Sequence, residues 1–218
     1  MPNSTKTAAI ILAGGTSSRM GEERNKLLLP LDNQPVLAHV VAAALGSQAH
    51  PIVLVLGYQA QIVQKKLKDT LETHDIVTVQ NLAYQQGQST SMHTGLRALR
   101  ALPESYTKGV DAAIFLLGDQ PMLTSALIDK LLALRAHTDK RIILPLYQGK
   151  RGNPVIFSLD LAPELFAVTG DEGGRSVLKR HPNEIATLEI GAETANFDVD
   201  TWEAYLKVQG AWQQHGLE

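Results

Sequence analysis

The residues best suited to chemistry in this 218-residue chain are Gly14-Gly15-Thr16-Ser17-Ser18-Arg19-Met20-Gly21 and, just behind them, Lys26. Ala8–Leu12 directly precedes them as a short apolar run of the kind that forms a buried parallel strand. A glycine turn after such a strand lets backbone amides approach a ligand closely, and Arg19 and Lys26 add two fixed positive charges. That combination suits a polyphosphate and suggests a nucleoside triphosphate. Read alone, the glycines could also serve only a tight turn. The stretch lacks the GxGxxG spacing of a dinucleotide fingerprint, and no acidic residue caps a second strand about 20 residues on. Nor is it a P-loop, because no Gly-Lys-Ser/Thr follows at the required distance.

Carboxylates supply the complementary charge. Asp119, in Leu116-Leu117-Gly118-Asp119-Gln120-Pro121, falls just past the apolar run Ala112–Leu117. Residues at the carboxyl end of a buried strand point into the crevice where open α/β sheets bind ligands. A carboxylate there suits Mg²⁺, which takes one or two carboxylates and completes its shell with water and phosphate oxygens. Alternatively Asp119 serves a turn before the helix that begins near Ser125. In Asn196-Phe197-Asp198-Val199-Asp200-Thr201-Trp202, period-two alternation places Asp198 and Asp200 on one strand face and Val199 on the other. At ~4 Å and an effective dielectric of about 20, two carboxylates repel by ~4 kcal/mol. A divalent metal shared with Asp119 would reverse that sign, while Asp200 could also cap the following helix together with Glu203. Gly87-Gln88-Ser89-Thr90-Ser91-Met92 precedes a helical pattern, so its hydroxyls and free amides could bind an anion or a base edge; capping by Ser89 explains it equally well.

These groups must be positioned by an alternation of apolar runs and helical patterns, which argues for βαβ units and a parallel sheet. Strands are expected at Ala8–Leu12, Pro51–Leu56, Ile76–Gln80 and Ala112–Leu117. Helices are expected at Pro35–Leu45, Gln59–Leu71, Ser89–Leu102 and Ser125–Ala136, the first with Pro35 near its start and Gly46 after its end. Ile142–Tyr147 and Val155–Ser158, joined by a polar loop, read as an antiparallel ribbon. Leu161–Val168, Arg175–Arg180 and Trp202–Trp212 are helical candidates, and Leu188–Ile190 and Ala195–Val199 candidate late strands. No repeat or linker-like composition interrupts 1–218, so one domain is expected, with a nucleotide-binding half over about 1–120 and an acceptor-binding half over about 121–218.

Composition excludes several classes. An apolar share of 44% supports a packed core. A net charge of −2 gives no electrostatic case for nucleic acid. Arg97, Arg100 and Lys108, like Lys65, Lys66 and Lys68, read as solvated faces. The absence of cysteine excludes disulfides and thiolate chemistry and fits a reducing compartment. Met1–Thr7 has no apolar h-region, and no segment approaches the ~20 apolar residues of a membrane span, so a soluble cytoplasmic protein with no membrane partner is expected. The seven histidines are scattered; His39 and His93 fall in helical patterns, and surface or core roles are expected for them.

Taken in order, LAGGTSSRMG with Lys26-Leu27-Leu28-Leu29-Pro30, GQSTSMHTGL, LLGDQPML, GNPVIF, TGDEGGRSVL and FDVDTWEAY resemble the molybdenum cofactor nucleotidylyltransferases, closest to the cytidylyltransferase branch. The resemblance covers nearly the whole chain. It implies a Rossmann-like, GT-A-type α/β fold, with helices on both faces of a mostly parallel sheet and the small ribbon in the C-terminal half. It also implies Mg²⁺-dependent transfer of a nucleoside monophosphate, CMP favoured, from the triphosphate to the terminal phosphate of a molybdopterin-type acceptor, releasing pyrophosphate. Leu12, Ala13, Gly14, Gly15, Gly87, Ser91 and Gly118 would line the nucleotide. Arg19 and Lys26 would hold the triphosphate, and with Asp119 they form the catalytic set. Asp119, Asp200 and Asp198 would hold the metal. Gln120, Gly152, Asn153, Pro154, Asp171 and Arg175 would meet the acceptor, and a molybdenum hydroxylase or its chaperone is an implied partner. Three departures mark the chain: Gly14 where the cytidylyl branch usually has alanine (LAGG being commoner in the guanylyl branch), Asn153 where the family usually has histidine, and Trp202 in place of proline. Alternatives are GTP as donor, a sugar phosphate or other phosphorylated alcohol as acceptor, and a non-enzymatic carrier of the finished cofactor.

Overall fold

The structure, a computed structural model, describes residues 6–20, 24–191 and 196–215. In chain order its elements begin with strand β1 (Lys6–Ala13), the short hairpin β2 (Pro30–Leu31) and β3 (Gln34–Pro35), and helix α1 (Val36–Leu45). β4 (Ile52–Leu56), α2 (Ala60–Lys66), α3 (Lys68–Thr73), β5 (Ile76–Gln80), α4 (Gln88–Ala101), α5 (Glu104–Thr107) and β6 (Val110–Leu117) follow. The C-terminal part adds α6 (Ser125–Ala136), β7 (Ile142–Tyr147), β8 (Lys150–Arg151), β9 (Val155–Ser158), α7 (Ala162–Phe166), α8 (Arg175–Arg180), β10 (Ile185–Ile190) and α9 (Trp202–His215).

Both halves of the chain build one sheet, ordered β10-β7-β9-β6-β1-β4-β5, with β8 paired to β7. β1 runs parallel to β4 and β6, and β5 parallel to β4. β9 is antiparallel to both of its neighbours, β6 and β7, and β8 is antiparallel to β7. The expected Rossmann-like, mostly parallel sheet with a small antiparallel ribbon is therefore present, and the ribbon is inserted within the sheet.

Alternation along the central strands feeds two apolar layers, as period-two geometry requires. Ala9, Ile11 and Ala13 of β1 join Leu54 and Leu56 of β4 under α1, α2 and α6. Ala8 and Ile10 join Val53, Val55 and Phe115 under α4, α7 and α8. A third cluster of Leu31, Val36, Val199, Tyr205 and Val208 docks α9 onto the β2–β3 hairpin and the start of α1. Asp32 and Asn33, with φ of 46° and 62°, make the hairpin turn with both central residues left-handed, the conformation that matches strand twist in two-residue turns. Among the described residues no helix is long and apolar enough to cross a membrane.

Several sequence expectations are corrected. The helix expected over Gln59–Leu71 is two helices, because Leu67 leaves helical geometry (φ −100°, ψ 10°) while its side chain is buried. Its apolar spacing continues the helical period, which hides the break. The helix expected over Leu161–Val168 is a 3₁₀ turn at Leu159–Leu161 followed by α7. The strand expected over 195–199 does not form: the segment from Phe197 to Asp200 has no ladder partner, Ala195 lies outside the described residues, and Val199 N donates a lone backbone bond to Asp119 O at 2.9 Å. Gly21 also lies outside the described residues.

Candidate active site

From β1 the chain builds outward through β4 and β5 on one flank, then returns to place β6 on the other. The strand order thus reverses between β1 and β6, the position at which a crevice opens beyond the carboxyl ends of the strands. Gly14 and Gly15 leave β1 there, and Gly118 and Asp119 leave β6. The two loops touch: Gly118 N donates to Leu12 O at 3.0 Å. A Cβ on Gly118 would lie 3.1 Å from Ala13 Cβ and Leu12 O, so any side chain there would press the two loops a few tenths of an ångström apart.

Beyond Gly15 the chain is shaped by its own polar side chains. Ser17 Oγ accepts from Lys26 N at 3.1 Å, folding the loop back on itself. Asn25 caps the 3₁₀ turn Lys26–Leu28 by accepting from Leu27 N at 3.0 Å, and Leu27 anchors that turn in the core. Lys26 is thereby aimed at the carboxylates. Its ammonium pairs with Asp119 and, at 2.6 Å, with Oδ1 of Asp200. Arg19 Nη1 reaches Oδ2 of the same Asp200 at 2.8 Å from the solvent side. The two cations and two of the three carboxylates singled out in the sequence form one cluster.

Charge and burial oppose one another within it. Burial alone would lower the Lys26 pKa, but Asp119 and Asp200 outweigh it and the value is raised. Asp200 behaves in the mirror sense: partial burial raises it, and Lys26 and Arg19 bring it below the ordinary carboxylate value. Asp198 has no cation in direct contact among the described residues, and Lys26 lowers it only from longer range. Packing of its surroundings, then the negative charge of Asp119 and Asp200, push it up to about 6 against a hydrogen bond from Gln120. That bond runs from Gln120 Nε2 to Asp198 Oδ1 at 2.6 Å, while the buried Gln120 Oε1 has no partner.

The expected acceptor segment lies alongside. Asn153 N donates to Asn196 Oδ1 at 3.2 Å, and Tyr147 OH donates to Asn153 O at 2.8 Å. Gly152 packs against the Tyr147 ring, where no Cβ would fit. A cavity of about 180 Å³ lined by Tyr147, Lys150, Asn196 and Phe197 adjoins this segment. A larger one, about 290 Å³, lies at the opposite edge of the sheet, around His50, Pro51 and Asp75 where β4 and β5 begin.

The start of α4 departs from expectation. Its first amides are not free: Gln88 N donates to Asp171 Oδ1 and Ser89 N to Gly170 O, both at 3.0 Å. Ser89 is buried inside the helix and Gly87 is the residue before it, so Ser89 is not the cap. Nor does Asp200 cap α9, since Thr201 Oγ1 accepts from Ala204 N at 3.1 Å. Ser91 lies directly against Gly14, whose Cβ, if present, would collide with Ser91 Oγ. Asp171 and Arg175 make no hydrogen bond or ion pair with the Lys26 cluster among the described residues; Arg175 is exposed at the start of α8. His39 and His93 contact backbone carbonyls, of Leu31 at 2.8 Å and Leu165 at 3.0 Å.

A model of the MobA-like NTP transferase domain matches residues 9–185. The chain belongs to the MobA-like NTP transferase family. As an NTP transferase it is similar, at 29% identity over 207 residues, to nicotine blue oxidoreductase of Paenarthrobacter nicotinovorans, covering 91% of this chain and 94% of that protein. It is 29% identical over 215 residues to purine catabolism protein PucB of Bacillus subtilis, covering 93% and 95%. The crystal structure of Rv0371c from Mycobacterium tuberculosis H37Rv superposes with a TM-score of 0.76 at 26% identity, covering 94% of this chain and 98% of that one. One of these names gives an oxidoreductase and the other a catabolic process, so it is the family that identifies this chain as a nucleotidyltransferase.

Sequence reasoning missed two residues that shape the candidate site. Asn81, 2% exposed, follows β5 at the same sheet edge; its Nδ2 donates to Ser91 Oγ at 3.0 Å and to Thr90 Oγ1 at 2.8 Å. Its place just past a strand end was the available signal. Tyr205, whose hydroxyl donates to Pro30 O, carried no such signal, because a tyrosine in a helical pattern reads as packing alone.

Proposed function

We propose that the chain transfers CMP from CTP to the terminal phosphate of a molybdopterin-type acceptor with Mg²⁺, releasing pyrophosphate. The observation that carries this is the convergence of Lys26 and Arg19 with Asp119 and Asp200 at the reversal of strand order. Lys26 and Arg19 meet the triphosphate and neutralise charge that grows on the departing pyrophosphate. The acceptor phosphate is already an anion, so its oxygen attacks the α-phosphorus without a strong general base. Bringing two anions into line is the barrier, and fixed charge with positioning lowers it.

The residues fit a divalent cation. Asp119 and Asp200 converge on one ammonium, and Asp198 feels the charge of both. Among the described residues no group of three or more His, Cys, Asp or Glu is assembled to hold a metal without help from substrate. Two carboxylates completed by water and phosphate oxygens is the arrangement Mg²⁺ favours. Asp119 and Asp200 would hold the ion, with Asp198 beside them, and its charge would screen the approach of donor and acceptor phosphates.

Within this reading Leu12 to Gly15, Ser91 and Gly118 border the nucleotide, and Gln120 with Gly152-Asn153-Pro154 and Arg175 face the acceptor. Residues of about 1–120 supply the donor side, and 121–218 supply the acceptor side and Asp200. The product would pass to a molybdenum hydroxylase or its chaperone. GTP is the second reading, favoured by glycine at position 14, where the resemblance leads to alanine in the cytidylyl branch and where a Cβ would collide with Ser91 Oγ. The test is pyrophosphate release from CTP, GTP and ATP with Mg²⁺ and the molybdenum cofactor as acceptor. Release with CTP that depends on the pterin supports the proposal. Preference for GTP replaces the donor, and equal turnover of common sugar phosphates overturns the acceptor.

A further inference from the structure

The acceptor half ties off the first turn of α4 with its own backbone. Besides the two hydrogen bonds from Gln88 N and Ser89 N, Gly87 (φ 107°) lies flat on Gly170 (φ 61°), and a Cβ at 87 would overlap the Gly170 carbonyl group. Gly173 (φ 54°) is buried, and its Cβ would stand 2.8 Å from Gln88 Oε1. The segments are separated by 83 residues in sequence yet fitted backbone to backbone. On one side the contact leads to Ser91, held by Asn81 and lying on Gly14 in the glycine loop. On the other it leads through Glu172, whose carbonyl accepts from Arg175 N at 3.1 Å, to α8. Gly174 packs on the Phe157 ring of β9, the strand that follows Pro154.

We propose that Asp171 is a positioning residue that couples the acceptor loop to the nucleotide subsite through the first turn of α4. The assignment of the two subsites rests on the function proposed above; the coupling rests on the contacts alone. A carboxylate at a helix start accepts from a free amide and opposes the positive end of the helix dipole. Because this cap comes from the loop over 170–173, any displacement of that loop releases Gln88 N and loosens the turn that sets Ser91 against Gly14. Binding on the acceptor side is thereby felt on the donor side.

The experiment compares the wild type with Asp171→Ala and Asp171→Asn as full-length chains. Without ligand, hydrogen exchange in Asp171→Ala should quicken at residues 88–91 and at Gly14–Gly15, while Asp171→Asn, which can still accept the bond, stays close to the wild type. Titration with CTP and Mg²⁺ should show Kd raised about fivefold in Asp171→Ala, in line with loss of a helix cap, and within about twofold for Asp171→Asn. Faster exchange confined to 88–91 with unchanged Kd would make Asp171 a merely structural cap and overturn the coupling. So would an asparagine variant that exchanges like the wild type yet binds as weakly as the alanine one, since that marks a charge contact with ligand. If the wild type binds no nucleoside triphosphate, the proposed function fails. The coupling is then decided by exchange at Gly14–Gly15 alone. Should Asp171→Ala not fold, Asp171→Ser is read by the same exchange measurement, with quickening at Gly14–Gly15 expected and its absence counting against coupling.

Discussion

Lys26 Nζ stands 2.6 Å from Oδ1 of Asp200, a residue 174 positions later in the chain, while it also pairs with Asp119. One ammonium is therefore shared by the two carboxylates that would hold a metal and offsets part of their charge. Removing it should have two opposite effects. Lys26→Ala should cut kcat/KM by about 10²–10³, the usual loss for a preorganised charge at the transition state. The same variant should bind Mg²⁺ or Mn²⁺ more tightly than the wild type without nucleotide, because the carboxylates lose their internal counter-ion. Calorimetric titration checks the second effect, and unchanged metal affinity would remove Lys26 from that role.

Arg19 reaches Asp200 from solvent, so its removal tests charge with little disturbance of packing. Arg19→Ala should also lower kcat/KM by about 10²–10³ with no more than a small change in Tm. Losses under tenfold in both Arg19→Ala and Lys26→Ala would show that the glycine loop is structural. Asp119→Asn should abolish turnover while acceptor binding, followed by fluorescence or calorimetry, is weakened but measurable.

The cluster sets a pH window for stability. Asp200 is lowered in the folded state, so its contribution is present above the ordinary carboxylate value of 3.8 and is lost as pH falls through the lowered one. Lys26 is raised, so its contribution is full below 10.5 and is lost as pH rises through the raised value. The Tm difference between wild type and Lys26→Met should be largest between these limits and shrink on both sides. A difference constant from pH 3 to pH 8 would show that the pairing does not stabilise the fold.

Asp200 arrives at Lys26 because α9 is docked by Val199 and Tyr205. Val199→Ala should cost about 2 kcal/mol by opening a cavity in the small third cluster. Tyr205→Phe should cost about 1 kcal/mol through loss of its hydrogen bond to Pro30 O. Both should raise the Mg²⁺ concentration needed for half-maximal turnover. A fall in Tm with unchanged Mg²⁺ dependence would separate α9 docking from the site.

Gly14 and Ser91 form a pair in which one side chain excludes the other. Gly14→Ala should lower both Tm and nucleotide affinity. Combining it with Ser91→Ala should recover much of the loss, because the colliding hydroxyl is gone. A double-mutant cycle measures this directly; simple additivity would mean that the two positions adjust independently.

The alternation of apolar runs with helical patterns was enough to read the α/β class, the parallel strands β1, β4, β5 and β6, and the presence of an antiparallel ribbon. The reason is local: a buried parallel strand is apolar on both faces, and its neighbours in sequence are helices that must cover it. Asp119 was legible as a carboxylate just past an apolar strand, Arg19 and Lys26 as cations in and behind a glycine turn, and Asp200 from its alternation with Asp198, although the strand that alternation implied does not form. The tertiary structure decided what those charges meet. It joined Lys26 to Asp119 and Asp200 by docking α9 through Val199 and Tyr205, a contact between residues whose own spacing carries no sign of it. It also left the stretch from Phe197 to Asp200 outside the strand ladder and gave the first amides of α4 to Gly170 and Asp171. Periodicity reports which face of an element is buried, whereas a partner across the fold depends on where distant loops come to rest. Sequence alone therefore named the charged groups, and packing between distant segments determined their partners.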